Sequence, residues 1–186
     1  MSLTEEKSIK STTKFSAEIL EDMEKFPSII TLPVLWGHMD AYQHMNNVHW
    51  LSFIEAARVD HAMLLSLYMD PSEFAQKFSA KGTGLVVKQN KINYYIPVKF
   101  PDSLTLATRV KDMTQDSLVY HSKIYSNVSG KLVGESEVLM VSFDFKAGKK
   151  ADLDAATVEA ITKVEDDPKL TQKLAKKLPT RNITAF

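Results

Sequence analysis

Three of the five histidines, His38, His44 and His49, crowd with Asp40, Asn46 and Asn47 into the stretch WGHMDAYQHMNNVHW at residues 36–50. Three kinds of chemistry fit these residue types. Imidazole and carboxylate ligands suit zinc or non-haem iron, with His38, Asp40, His44 and His49 as the donors. The spacing matches no strong metal template such as H-E-x-x-H, and Asp60-His61 lies too far along the chain to join. A second reading is structural: Asn46 or Asn47 caps the helix that follows, Asp40 is a turn residue, and the histidines are incidental. A third reading is acid–base. Asp40 lies just before a helix whose first N–H groups lack partners and carry the positive end of its dipole. A carbonyl oxygen bound at that terminus is polarised, and a carboxylate beside it can attack the carbon or activate water. Such a site performs acyl transfer without a serine, cysteine or metal.

The helix that presents this terminus spans residues 47–67. It is apolar over most of its circumference, with a narrow polar stripe at Ser52, Glu55 and Asp60, so other structure must wrap it. A short amphipathic helix at 16–26, with Ser16 as N-cap and Pro27 as stop, precedes it. A strand at 29–36 follows, which Pro33 limits to a sheet edge or an interrupted strand. After the long helix, DPSEFAQKF reads as a second short helix capped by Asp70 or Ser72. From Thr83 to Phe145 the chain is rich in β-branched and aromatic residues, broken by turns at 113–117 and 127–131. Four long strands result, with short connections that make them antiparallel neighbours. Residues 151–166 return to helix, and 168–180 form a lysine-rich helix or extended arm. The class is α+β, in three parts: an N-terminal helical extension at 1–27, the main domain at 28–146 and a C-terminal helical tail at 147–186. One sheet edge is left uncovered, which predicts a homodimer.

Composition narrows the function. The 186 residues suffice for one domain with a real core. Lys+Arg and Asp+Glu are 23 each, so bulk charge does not draw the chain to nucleic acid. The absence of cysteine excludes disulfides, thiolate metal sites and a cysteine nucleophile. No apolar run reaches membrane-spanning length, and the N-terminus lacks the pattern of a leader. A soluble protein of the cytoplasm is expected, with the mitochondrial matrix as the alternative.

The segment VLWGHMDAYQHMNNVHWLSFIEAARVDHAML resembles the signature of hotdog-fold acyl-CoA thioesterases of the 4-hydroxybenzoyl-CoA thioesterase type. The matching residues are Asp40, His44, Asn46, Asn47, Glu55 and Arg58. The later block INYYIPVKFPDSLTLATRV and the order of elements are similar too, and the likeness covers about residues 28–146. It implies a curved five-stranded sheet wrapped around the 47–67 helix. It implies a homodimer or homotetramer with sites at the subunit interface, an acyl-CoA substrate, and no metal or bound cofactor. By the same resemblance, Asp40 is the catalytic carboxylate and Asn47 supplies the N–H that binds the thioester oxygen. His38, His44 and Asn46 are the substrate-binding candidates. A non-catalytic acyl-CoA or acyl-carrier-binding protein is the alternative. Two positions depart from the family pattern: His38 replaces an acidic residue, and Gln43 replaces a glycine. Glutamine enters the positive-φ region only at a cost, so a differently shaped loop is expected.

His44 either orients Asp40 or packs structurally. Glu55 and Arg58 are spaced to pair on the helix. Trp36, Trp50, Phe53, Tyr94 and Tyr95 are candidates for an acyl pocket or for the core. Lys88, Lys91, Lys99 and Arg109 are candidates for coenzyme A phosphates or for solvated strand faces.

Overall fold

The structure, a computed structural model, describes residues 15–79 and 81–166. The lysine-rich segment at 168–180 and most of the N-terminal extension lie outside the described residues. The elements run α1 (Ala17–Met23), β1 (Ser28–Val34), α2 (Asn47–Leu64), α3 (Pro71–Lys77), β2 (Thr83–Tyr94), β3 (Asp102–Met113), β4 (Ser117–Ser126), β5 (Lys131–Asp144), β6 (Lys149–Lys150) and α4 (Ala155–Glu165). Short 3-10 turns occupy Trp36–His38 and Leu65–Leu67. No helix among the described residues is long and apolar enough to cross a membrane.

The sheet is antiparallel in the order β1-β3-β4-β5-β2, with β6 paired to β5. The consecutive strands β2 and β3 are therefore not neighbours, contrary to the expectation from their short connection. β1 occupies the free edge of β3, and β2 crosses to pair with β5 at the far edge. Register shifts between Val87 and Gln89, between Val110 and Asp112, and between Ile124 and Tyr125 mark bulges, which bend and twist strands. Pro33 sits in edge strand β1, where its missing N–H costs no ladder bond on the open side.

The bent sheet holds α2 on one face, the hotdog arrangement. Trp50, Phe53, Ile54, Ala57 and His61 form the buried side of the helix. They pack against Leu104, Leu106 and Val110 of β3, Leu118, Tyr120 and Ile124 of β4, and Val138 and Met140 of β5. Burying a side chain of the size of Phe53 or Ile54 contributes about 1.5–3 kcal/mol. Gly134 on β5 admits the Trp50 ring; a Cβ there would stand 2.7 Å from the indole. The rest of α2 is not wrapped within one chain: Val48, Leu51, Val59 and Met63 are exposed.

The other face of the sheet carries α1. Ser16 caps it by accepting the Ile19 N–H. Met23 and Phe26 cluster with Ala107 and Tyr125. Asp22 accepts hydrogen bonds from Lys123 at 2.5 Å and from the Tyr125 hydroxyl at 2.8 Å.

Helix α4 closes the end of the core near the C-terminus of α2. Asp154 caps it, and Ala160 and Ile161 are fully buried. Its last residue, Glu165, is enclosed: Oε1 accepts the Val110 N–H at 2.7 Å and meets His61 Nε2 at 2.6 Å. Arg109 Nε stands 3.4 Å from Oε2. Removing one member of such a buried set strands the others. Glu165→Ala is expected to lower the unfolding free energy by about 3–5 kcal/mol in a urea titration, because it orphans His61 and the Val110 amide.

Candidate active site

The loop between β1 and α2 is tied to itself and to the sheet by its backbone. Met39 and Met45 form an antiparallel bridge. Asp40 N–H donates to His44 O at 2.8 Å, Asn46 N–H to His38 O at 2.8 Å, and Met45 N–H to Val98 O at 2.8 Å. Met45 and Val98 are buried, which anchors the loop to the segment between β2 and β3. This closure brings His38 and Asp40 back to the start of α2.

Asn46 is the N-cap, and its side chain accepts the Val48 N–H at 3.2 Å. The His49 N–H donates to Asn46 O. Asn47, the first helical residue, has the amide in this run that none of these bonds engages. An N1 amide has no intrahelical acceptor and lies at the positive end of the dipole.

Asp40 is half-buried. Its Oδ1 accepts the Tyr42 N–H at 2.8 Å and the His44 N–H at 3.3 Å. Oδ2 takes no hydrogen bond among the described residues. One oxygen thus orients the carboxylate and the other is available for chemistry. His44 contributes to that orientation through its main chain, as donor to Asp40 Oδ1 and as acceptor from the Asp40 N–H.

Gln43 occupies the turn at φ 61. The left-handed conformation that glycine adopts freely is taken here by glutamine, so the expectation that Gln43 would force a different turn is not met. The Gln43 N–H donates to Asp40 O at 3.0 Å, which holds the turn closed despite the strain.

His38 lies on the helix side of the loop. Its Nδ1 accepts the Leu35 N–H at 3.1 Å. Its ring centroid is 4.6 Å from that of His49 and 5.5 Å from that of Phe53. Burial first, and then the neighbouring His49, lower the pKa of His38. With Nδ1 accepting, the neutral ring carries its proton on Nε2. His38 therefore enters the site as an uncharged donor where the family pattern has an acid. Among the described residues, no group of three or more His, Cys, Asp or Glu comes together to hold a metal ion.

The other candidates separate. Trp50 and Phe53 belong to the core, and Tyr94 packs edge-on to Trp50 at 5.0 Å. Trp36 is 76% exposed and Tyr42 82% exposed, on either side of Asp40 in the loop. Tyr95 donates its hydroxyl to Glu135. Arg109 faces Glu165 and Lys91 stands near Glu137, while Lys88 and Lys99 are exposed. Sequence reading missed the role of the main chain in holding Asp40; the short span from Asp40 to His44 was its only signal.

Residues 34–161 match the sequence model of the thioesterase-like superfamily. The chain belongs to that superfamily. It is 28% identical over 124 residues to the long-chain acyl-CoA thioesterase FadM of Escherichia coli K12, covering 67% of this chain and 89% of FadM. It is 29% identical over 111 residues to the acyl-CoA thioester hydrolase YbgC of E. coli O6:H1, covering 60% of this chain and 78% of YbgC. Among solved structures, a Thermus thermophilus thioesterase complexed with coenzyme A and Zn superposes with a TM-score of 0.65 at 23% identity. The match covers 78% of this chain and 98% of that one, and it supports the fold.

The strained turn makes a direct test of this loop. Gln43→Gly is expected to raise the unfolding free energy by about 0.5–1 kcal/mol, the relief of a left-handed non-glycine residue less the entropy cost of glycine. Thermal and denaturant melts of the two proteins measure it.

Proposed function

We propose that this chain is an acyl-CoA thioesterase that hydrolyses its substrate to a free acid and coenzyme A. The observation that carries this reading is Asp40: one carboxylate oxygen is fixed by two backbone amides, and the other is free in a loop folded back onto the open amide end of α2. FadM and YbgC, the relatives that act on acyl-CoA thioesters by name, support the substrate class.

In the proposed reaction, the thioester oxygen accepts the Asn47 N–H, with the helix dipole behind it. Asp40 Oδ2 removes a proton from water as the water oxygen bonds to the carbonyl carbon. The resulting oxyanion is held by the same N–H. Its collapse breaks the carbon–sulfur bond, and the leaving thiolate takes up the proton. Alternatively, Oδ2 itself attacks the carbon and the mixed anhydride is then hydrolysed. His38, His44 and Asn46 shape the floor of the site, with His38 Nε2–H available to a substrate oxygen. No metal enters either route.

The proposed assembly is a homodimer or homotetramer. Among the described residues β2 pairs only with β5, which leaves its other edge open. Val48, Leu51, Val59 and Met63 on α2 and Trp36 and Tyr42 beside Asp40 add exposed apolar surface in need of a cover. Sedimentation at micromolar concentration should give a dimer or tetramer; a monomer would remove the interfacial site.

Asp40→Asn keeps an oxygen to accept the Tyr42 and His44 amides but loses the base. It is expected to reduce kcat by about 10²–10⁴-fold with the melting temperature unchanged, as measured by thiol release from a panel of acyl-CoAs. Full activity in the variant would refute the mechanism. Acyl-CoA binding without thiol release by the unaltered chain would instead make it a non-catalytic binder.

A further inference from the structure

A second chamber lies at the other end of α2, lined by none of the residues 36–50. It has a volume of about 160 Å³ and sits between the last turns of α2, α3, the start of β2, β5 and the start of α4. Arg58, which opens this end of the helix, lies roughly 16 Å along the axis from Asn47. The chamber wall includes Ala62, Leu65, Phe74, Met140 and Leu153. An apolar cavity of about this size accepts a benzene-sized guest.

Lys77, Thr83, Ser142, Asp154 and Thr157 also reach the wall, but two of its polar groups, the Tyr120 hydroxyl and the Arg58 guanidinium, are buried without close partners among the described residues. Tyr120 is 2% exposed, and its hydroxyl has no hydrogen-bond partner among the described residues. His61 meets the Tyr120 ring edge-on at 5.2 Å and is itself engaged by Glu165. A buried hydroxyl without a partner costs stability and calls for a reason. Arg58 also lines the chamber, with its side chain only 13% exposed. The carboxylate that faces it, Glu55, stands 3.8 Å away and is 68% exposed, a loose partner for a cation so far out of water. Desolvation lowers the pKa of Arg58, while Glu55 and Tyr120 act against it. A donor without a bond and a cation with only a loose, exposed partner therefore share one largely apolar chamber.

The way in is visible. An outer hollow of about 390 Å³ shares Lys77, Thr83 and Asp154 with the chamber wall. Lys77 at the end of α3 pairs with Asp154, the N-cap of α4, at that shared wall.

We propose that this chamber binds a free carboxylic acid with a compact apolar tail of about six carbons. The carboxylate accepts from the Tyr120 hydroxyl and pairs with Arg58, and the tail lies among Ala62, Leu65, Phe74, Met140 and Leu153. The Lys77–Asp154 pair stands at its entrance. Such an acid is the class of molecule that thioester hydrolysis releases, so the chamber reads the product of the enzyme at a place apart from Asp40. That last clause rests on the proposed function; the binding site does not.

The test uses the full chain carrying Asp40→Asn, with hexanoate as the probe and 1-hexanol as its uncharged counterpart. Methyl-labelled methionine reports on Met140, and calorimetry gives affinity. Hexanoate should shift the Met140 methyl resonance and bind at least tenfold more tightly than 1-hexanol. Tyr120→Phe and Arg58→Gln, each added to that chain, should weaken hexanoate about five- to tenfold. Tyr120→Phe removes a hydroxyl that bonds nothing among the described residues, so its ligand-free melting temperature should not fall. No Met140 shift with hexanoate up to about 10 mM would overturn the site. Equal affinity for hexanoate and 1-hexanol, or hexanoate affinity indifferent to both substitutions, would overturn the carboxylate assignment. Hexanoate binding in a chain whose unaltered form has no thioesterase activity would sink the proposed function and leave the site standing. Absence of binding in an active enzyme would sink this inference alone.

Discussion

The burial of one side of α2 against a curved sheet is the constraint on which the molecule depends. Trp50, Phe53, Ile54, Ala57 and His61 can leave water only if strands bend around them. The bulges in β2, β3 and β5, the glycine at 134 and the placement of β2 beyond β5 all serve that bend. A helix held this way cannot choose where its ends emerge. Its N-terminus comes out where the β1–α2 loop closes, and its C-terminus comes out beneath α4. Both polar sites of the protein are consequences of that placement.

At the N-terminus, geometry is set by backbone rather than by side-chain packing. The Met39–Met45 bridge, the Met45–Val98 bond and the two amides on Asp40 Oδ1 leave the carboxylate little freedom. Preorganisation of this kind is what an electrostatic site requires, because donors already in place need not reorganise when charge develops. The cost is local strain at Gln43, which the surrounding bonds over-determine. His38 adds to this loop an uncharged ring whose Nδ1 is held by the Leu35 amide.

At the C-terminus the same helix meets charges that are buried. Glu165 satisfies the Val110 amide and His61, and brings α4 onto the core. Its position gives the last described helix a structural task that apolar contacts alone would leave unspecific. In the neighbouring chamber the Tyr120 hydroxyl bonds nothing among the described residues, and Arg58 has only the exposed Glu55 at 3.8 Å. The two groups differ in how tightly they are held: Glu165 ties α4 to the core through bonds at 2.6 and 2.7 Å, while the chamber beside it leaves room for a ligand.

Much of this was legible in the sequence. Ser16, Asn46, Asp70 and the run from Asn47 to Leu64 announce helices through local capping chemistry and periodicity, which need no distant partner. The alternation in the strands, and Pro33 as a mark of a sheet edge, follow from backbone geometry that each residue carries by itself. The pairing of Asp40 with a helix start is also local, since only a few residues separate them. Other features were decided by tertiary structure. Leu139, Val141 and Phe143 alternate as clearly as Val138 and Met140, yet it is Val138 and Met140 that join the core around α2, because periodicity gives two faces and does not say which one meets the helix. The partner of β2 is set by which sheet edge remains free after β1 has paired. The set of His61, Arg109, Tyr120 and Glu165 is assembled from three elements and the end of a fourth, and no spacing in the chain foretells it. Local chemistry determined the elements and the loop that carries Asp40. Contacts between residues remote in sequence, which only a closed core can bring together, decided what each element faces.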